Sequence, residues 1–157
     1  TVTDPYMVEP TLFGPIDTVL GAELFRGVLA IEAAMFALVI VNFVTRRAAY
    51  DRHTRQAEEG AEAVARWPVH ELTNVVLVLG AFYYTTLHQH AGVVLSTLVL
   101  GLFITDFFEF EARKVEARRD LPLERPKGAL VASALVFLYA GYHTVFFLVR
   151  PIWSAVV

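Results

Sequence analysis

The sequence predicts an all-α integral membrane protein, built as an antiparallel bundle of four membrane-spanning helices. Three observations predict it: long apolar blocks in a chain that is 56% hydrophobic with a mean hydropathy of +0.52, basic residues concentrated in two short segments, and a very short turn between the middle two blocks. Soluble domains contain about 45–50% apolar residues. Lipid permits only helices and closed barrels, and these blocks are far too long for barrel strands.

The first half of the chain predicts an outer N-terminal segment, one span and a basic loop. Residues 1–15 are rich in proline and turn-forming residues. The first span covers approximately residues 19–45, and nine Leu, Ile, Val or Phe residues fall between Leu29 and Val44. A helix needs about 20 mostly apolar residues to cross about 30 Å of hydrocarbon. We expect this helix to continue into the loop at 46–68, with Gly60 as a break.

The second half predicts three further spans within the same single domain, residues 1–157. The second span, approximately 69–87, follows Pro68, and a short turn leads into the third span, approximately 91–108. The third span should also continue as a helix into the loop at 109–127. The fourth span covers approximately 128–149 and ends before a proline.

Charge predicts how the bundle is oriented. Eleven of the thirteen Lys and Arg residues fall in the two loops at 46–68 and 109–127, and the exceptions are Arg26 and Arg150. Cytoplasmic loops carry the excess of basic residues in membrane proteins. The pattern therefore predicts a multi-pass protein of the cell membrane with both loops in the cytoplasm and both termini outside. We expect the loop arginines to contact anionic lipid headgroups.

Several chemistries are not indicated by the sequence. It contains no cysteine and therefore no disulfide or thiolate metal site. It lacks phosphate-binding loops, metalloprotease motifs and a nucleophile elbow. Its basic loops also contain acidic residues, which argues against nucleic acid as a partner. We therefore predict no catalytic residues, no metal and no cofactor.

Glu32 is the most informative polar residue in the sequence. It lies about twelve residues inside the predicted first span, or about 18 Å from its outer end. Ionisable groups within a membrane are costly and often functional. Glu32 is therefore a candidate protonatable site, and the alternative is a paired carboxyl that holds helices together.

Other polar residues fall within the predicted spans. Glu71 and Asn74 belong to a stripe of polar and small residues that should face the bundle interior. Asp106 lies about one turn inside the inner surface, where it can pair with an inner arginine or with Asn74. We regard all three as candidate functional residues.

Histidines on different helices suggest one weaker possibility. His143 lies in an aromatic stretch in the outer third of the fourth span, and His88 and His90 lie in the turn at similar depth. Two histidines are the minimum for axial ligation of haem b. A buried neutral imidazole is the commoner explanation for His143.

Three segments carry a resemblance to a known family: PTLFGPIDTVLG, HELTNVVLVL and STLVLGLFITDFFEFEARKVEARRDL. They resemble small four-span membrane proteins of unassigned function from halophilic archaea, over nearly the whole chain. The resemblance implies a membrane bundle and carries no catalytic residues across.

These observations leave three functional hypotheses open. The first is a non-catalytic accessory or assembly subunit of a larger membrane complex, for example a respiratory or energy-converting one. The second is a homo-oligomeric ion or proton channel or carrier that uses Glu32. The third is a haem-binding electron carrier. The expected partners are lipid and other membrane subunits, or further copies of the chain.

Overall fold

A computed structural model describes residues 12–157, so most of the predicted outer N-terminal segment lies outside the described residues. The prediction of an all-α fold is confirmed, with one small two-stranded ribbon added. The elements in chain order are α1 (Pro15–Leu20), β1 (Glu23–Phe25), β2 (Val28–Leu29), α2 (Ala30–Glu59), a 3-10 turn (Ala61–Ala63), α3 (Pro68–Leu87), α4 (Gln89–Arg118) and α5 (Lys127–Val156).

The four long helices pack side by side as a bundle. α2 contacts α3 and α5, and α4 contacts the same two helices, so the helices follow one another around the bundle in chain order. The middle of the interior is apolar. Its most deeply buried side chains come from all four helices: Met35, Val39, Leu77, Ala81, Val99, Leu102 and Val136.

Proline and glycine mark the ends of these helices. Pro68 occupies the first turn of α3, where its missing N–H is not needed. α2 ends at Gly60, which has a φ of 135° that other residues rarely adopt. Only His88 separates α3 from α4. This short connection makes the two helices an antiparallel pair.

The first predicted span differs from the structure at its outer end. The expected helix begins at Val19, but α2 begins at Ala30. The residues before it form α1 and an antiparallel ribbon that turns at Arg26 and Gly27, which have φ values of 45° and 81°. Gly27 supplies the left-handed conformation that this turn needs. The apolar character of the segment concealed the turn.

Two of the described helices are long and apolar enough to cross a membrane. These are α4, with a mean hydropathy of 2.0 in its most apolar window, and α5, with 1.7. By the same criterion of length and composition, α2 and α3 do not qualify. The finding supports membrane association, but the prediction of four spans is not supported by helix composition.

The close approach of α3 and α4 depends on Gly92, and this generates a first prediction. A Cβ atom at Gly92 would overlap the Cα of Thr85, a backbone atom that cannot move without shifting α3. Gly92→Ala should therefore lower the free energy of unfolding by at least about 1–3 kcal/mol, the usual cost of overpacking.

Gly101 in the same helix provides the matched control. A Cβ atom there would meet nothing within 4 Å. Because alanine favours helix over glycine by about 1 kcal/mol, Gly101→Ala should leave stability unchanged or slightly increased. Denaturant titration in detergent measures both variants, and equal effects at the two positions would contradict the packing described here.

Candidate functional site

A cluster of buried polar side chains lies in the half of the bundle nearer the basic segments. All of its members are less than one-tenth exposed, and all four long helices contribute at least one. We call it the inner polar cluster. Its members are Asn42, Thr45 and Arg46 of α2, His70, Thr73 and Asn74 of α3, Asp106 of α4 and Ser133 of α5.

The Asp106 carboxylate is the centre of this cluster. Its Oδ1 lies 3.2 Å from Nε of Arg46. Its Oδ2 accepts a hydrogen bond from Nδ2 of Asn74 at 2.7 Å and lies 3.0 Å from Nε2 of His70. One carboxylate therefore joins α4 to α2 and α3. The structure places Asp106 against an arginine and against Asn74 at the same time.

Arg46 extends the network to the fourth helix. Its guanidinium donates to Oδ1 of Asn42 at 2.7 Å and to the hydroxyl of Ser133. The side chain is only 1% exposed. A buried charge is stable only when it is paired and hydrogen-bonded. Arg46 meets that condition through acceptors on α2, α4 and α5.

His70 links Asp106 to Thr45. With Nε2–H donating to Asp106, Nδ1 of His70 accepts from the Thr45 hydroxyl, whose oxygen lies 2.8 Å away. The Thr45 hydroxyl also lies 3.1 Å from the carbonyl oxygen of Asn42. His70 therefore connects α4 to α2 through its two ring nitrogens.

Asn42 and Thr73 complete the cluster. Nδ2 of Asn42 donates to the hydroxyl of Thr73 at 2.7 Å and to Oδ1 of Asn74 at 2.8 Å. The Thr73 hydroxyl donates to the carbonyl oxygen of His70. Every member therefore has a partner inside the cluster. Such closed networks specify one arrangement of the helices, since each broken contact leaves a buried group unpaired.

Glu32 lies in a different place from the one predicted. It occupies the first turn of α2, rather than a position twelve residues inside a helix. Its carboxylate accepts from the backbone N–H of Leu29 at 2.8 Å and from the hydroxyl of Tyr84 at 2.6 Å. Acidic groups at this position cap the helix and interact favourably with its dipole. We call Glu32, Tyr84, His143 and Thr144 the outer polar cluster.

His143 belongs to the outer polar cluster, with its Nδ1 3.9 Å from the Glu32 carboxylate. The rings of Tyr139, Tyr142 and Tyr84 lie 4.8, 5.2 and 6.3 Å from the His143 ring, centroid to centroid. The His143 imidazole is therefore packed against aromatic rings. The His88 ring lies 5.6 Å from that of Tyr84, tilted by 54°. His88, between α3 and α4, and His90, in the first turn of α4, are both exposed.

An apolar layer separates the two polar clusters. Glu32 and Asn42 are ten residues apart on α2, or about 15 Å along the helix. Between these levels the interior is filled by side chains such as Met35, Val39 and Leu77, each at most 2% exposed. The described residues therefore provide no continuous line of polar groups from Glu32 to Asp106.

The inner ends of α2 and α4 hold a third group of buried polar atoms. His53 is 3% exposed and Arg113 is 5% exposed. Both ring nitrogens of His53, and Nε and Nη1 of Arg113, have no hydrogen-bond partner among the described residues. Burial, with the nearby charge of Arg113, lowers the pKa of His53 to about 4. His53 is therefore neutral near pH 7.

Glu71 does not join the inner polar cluster. Its carboxylate is 30% exposed and pairs with Arg66 at 3.3 Å, and Arg66 also pairs with Glu111. The guanidinium of Arg66 lies over the rings of Phe107 and Phe110 at 4.5 and 4.2 Å. This arrangement fastens the 3-10 segment and the start of α3 onto α4, and Glu71 contributes to that attachment.

Sequence reasoning missed several members of the inner polar cluster. It placed Arg46 in a cytoplasmic loop, and it did not single out His70, Thr73 or Ser133. One signal was present: Asn42 and Arg46 are four residues apart, as are His70 and Asn74, so each pair lies on one helix face. Nothing in the sequence showed that the two faces meet.

Fold and cluster together define a helical bundle whose interior holds a closed polar network and whose helices include two of membrane-spanning character. A family model described as a domain of unknown function, DUF7313, matches residues 8–157, so the chain belongs to that family. The family is uncharacterised, in keeping with the resemblance to proteins of unassigned function. No curated protein and no solved structure matches the chain. Within residues 12–157, no group of three or more His, Cys, Asp or Glu side chains is arranged so that it could hold a metal ion.

The central position of Asp106 generates a second prediction. Asp106→Asn removes the counter-charge of Arg46 and leaves a buried cation unpaired, which typically costs about 3–5 kcal/mol. Glu111→Gln on the same helix changes charge equally, but its ion pair with Arg66 is half exposed and should contribute within about 1 kcal/mol. Unfolding in a graded detergent series measures the free energy of unfolding of both variants.

A double substitution separates loss of the pair from loss of packing. Arg46→Met with Asp106→Leu removes both charges and keeps apolar volume, which is often neutral for a buried ion pair. We expect the double variant to be more stable than Asp106→Asn. If Asp106→Asn were no less stable than Glu111→Gln, the cluster would not hold the bundle together.

Proposed function

We propose that the chain is a non-catalytic integral membrane protein with four membrane-spanning helices, acting as an accessory or assembly subunit of a larger membrane complex. Respiratory and energy-converting complexes are the first candidates. We place it in a cell membrane, and the resemblance described above suggests a halophilic archaeal one. The observation that carries the proposal is the distribution of polarity: a network of charged and amide side chains is buried between the helices, and many large apolar side chains lie on the outside of the bundle.

α3 shows this distribution most clearly. Its buried residues include His70, Thr73 and Asn74, whereas Leu72 and Leu79 are 62% and 61% exposed. Water-soluble proteins rarely expose contiguous apolar patches larger than a few hundred Å². Lipid reverses the preference, because apolar side chains can face the hydrocarbon while polar groups must find partners inside. The surface of α3 therefore suits lipid.

The same distribution explains why α2 and α3 have lower average hydropathy than α4 and α5. An average over a window counts inward-facing polar residues against a helix even when other helices satisfy them. α2 contains Asn42 and Arg46, but its outward residues Ile40, Val41 and Val44 are 45–66% exposed. A helix whose polar residues pair inside the bundle can span a membrane despite a modest average.

The proposed orientation follows from where the basic residues lie. The arm of α2 beyond Arg46, the arm of α4 up to Arg118 and the start of α5 lie at one end of an antiparallel bundle. We propose that this end is cytoplasmic, as the excess of basic residues indicates. The ribbon at 23–29 and the turn at His88 would then lie outside, with both termini.

An accessory role fits how the internal polar groups are used. The inner polar cluster satisfies its members with one another, which favours a structural role over substrate contact. The surface offered to partners is apolar. A groove of about 580 Å³ runs between α2 and α3, with the small residues Ala34 and Gly80 among its lining. Small residues allow helices to approach closely in membranes, so we propose that a partner helix packs there.

The channel or carrier hypothesis receives less support. It requires a route for ions or protons past Glu32, but the layer that contains Met35 and Val39 separates the outer polar cluster from the inner one. The Glu32 carboxylate also accepts hydrogen bonds from the Leu29 backbone N–H and the Tyr84 hydroxyl. These contacts favour the paired carboxyl that the sequence left as the alternative.

The groove generates a third prediction, tested by native mass spectrometry after mild detergent extraction from the source membrane. We expect the chain to be recovered with at least one different protein. Ala34 is exposed and lines the groove, whereas Ala37 is exposed on the same helix and does not. Ala34→Phe should reduce recovery of the partner, and Ala37→Phe should not.

The other outcomes discriminate between the functional hypotheses. Recovery of the chain only with further copies of itself would contradict the accessory role and move the proposal to the carrier. Flux measurements on Glu32→Gln in liposomes would then test that residue. An added mass equal to haem would revive the electron-carrier hypothesis through His143.

A further inference from the structure

A cavity of about 350 Å³ opens where the inner half of α2 meets the start of α5. Its lining combines two kinds of side chain. Arg46, Arg47 and Arg125 contribute positive charge, and Phe43 and Leu130 contribute apolar surface. No acidic residue lines it among the residues that the structure describes. A cavity with one cationic side and one apolar side matches an amphiphilic anion.

We propose that this cavity binds the phosphate-bearing headgroup of an anionic lipid in the cytoplasmic leaflet. The phosphate contacts the guanidinium groups of Arg47 and Arg125, and the first part of an acyl chain lies over Phe43 and Leu130. This inference rests on the proposed placement of the bundle in a membrane. The sequence predicts only that the arginines of the basic loops contact anionic lipid. This inference names one defined site for such a contact.

The arginines retain the capacity to bind phosphate. Arg47 pairs with Asp51 at 3.3 Å, but the two side chains are 79% and 51% exposed, so that pair contributes little and can exchange. Arg125 is exposed and has no ion-pair partner in the described part of the chain. Guanidinium groups bind phosphate oxygens with two parallel hydrogen bonds.

Arg46 ties the cavity to the inner polar cluster. A guanidinium has five N–H donors, and Arg46 uses three of them, on Asp106, Asn42 and Ser133. It forms part of the lining while remaining 1% exposed. The cavity therefore has one wall that is fixed by the central network of the bundle.

The side of the cavity formed by the linker and the start of α5 is also held in place. The hydroxyl of Tyr50, another lining residue, donates to the carbonyl oxygen of Leu123 at 2.9 Å. The Glu109 carboxylate accepts from the backbone N–H groups of Gly128 and Ala129 at the start of α5. The linker before α5 is thereby fastened to α2 and α4. A site formed in advance binds a ligand without the cost of ordering its walls.

The depth of the cavity also suits a lipid headgroup. Phe43 and Leu130 adjoin the apolar outer surface, since neighbouring Val44 is 66% exposed and Leu130 is 40% exposed. A second arginine-lined cavity farther along α2 lacks this feature, because it is lined by Arg52, Arg55, Gln56 and Glu59 alone. Of these two cavities on α2, the first therefore offers both a phosphate site and a place for a chain.

The experiment counts lipids retained by the detergent-purified chain in native mass spectrometry. The probes are dioleoyl phosphatidylglycerol, dioleoyl phosphatidylcholine and inorganic phosphate. The cavity variant is Arg47→Gln with Arg125→Gln. The matched control is Arg52→Gln with Arg55→Gln, which removes the same charge from the second cavity. Circular dichroism and the melting temperature establish that both variants fold.

The expected result is one phosphatidylglycerol retained by the wild-type chain and by the control, with affinity at least about tenfold lower in the cavity variant. If the wild-type chain retained phosphatidylcholine as well as it retained phosphatidylglycerol, the proposal would be overturned without reference to any variant. Equal losses in the two variants would also overturn it, by showing only general attraction to surface charge.

Further outcomes distinguish a lipid from a soluble phosphate as the bound anion. They also distinguish failure of this inference from failure of the proposed membrane placement. Displacement of phosphatidylglycerol by inorganic phosphate at similar concentration would assign the cavity to a soluble anion and overturn the lipid proposal. A chain that stays soluble and folded without detergent would overturn both this inference and the membrane placement. Failure of lipid retention in a chain that does require detergent would overturn this inference alone.

Discussion

The buried pair of Arg46 and Asp106 is the interaction on which the rest of the structure depends. A charge inside a bundle must be paired and hydrogen-bonded, or it costs several kcal/mol. Satisfying these two side chains requires acceptors and donors from α2, α3, α4 and α5 at once, among them Asn74 and Ser133. Each helix must therefore turn its polar face inward. That requirement fixes the rotation of all four helices about their axes and leaves other leucines and valines, such as Val44, Leu79 and Leu138, on the outside.

The interior is layered along the bundle axis as a consequence. The outer polar cluster around Glu32 fastens the ribbon and the start of α2 to α3 and α5, through Tyr84 and Thr144. An apolar layer follows, then the inner polar cluster, and then the arms of α2 and α4 with His53 and Arg113 between them. Polar networks at two levels and close packing between them give a bundle with one defined arrangement, and they leave its outer surface and the cavity at the inner end of α2 free to contact lipid and partners.

The long helices could be predicted from the sequence because hydrophobic blocks, prolines and glycines report on local structure. Pro68 begins α3 and Gly60 ends α2 for reasons that involve only neighbouring residues. The start of α2 could not be predicted in the same way. The segment before Ala30 is mostly apolar apart from Glu23 and Arg26, so it extended the predicted span, whereas in the structure the left-handed turn at Gly27 makes it fold back. The inner polar cluster escaped prediction because its contacts join residues far apart in the chain, and because Arg46 follows an apolar block and resembles a flanking loop residue.

We propose that the outward faces of α2 and α3 contact lipid while their polar residues pair inside. Because the sequence contains no cysteine, single cysteines can carry spin labels without background, and Val44 and Leu79 are exposed positions on these two helices. The measurement compares collision of each label with oxygen, which concentrates in hydrocarbon, and with a water-soluble nickel chelate, using Leu138 on α5 as the reference. We predict high oxygen and low nickel accessibility at all three positions. High nickel accessibility at Val44 and Leu79, with Leu138 in lipid, would contradict the claim and leave a protein with only two spans.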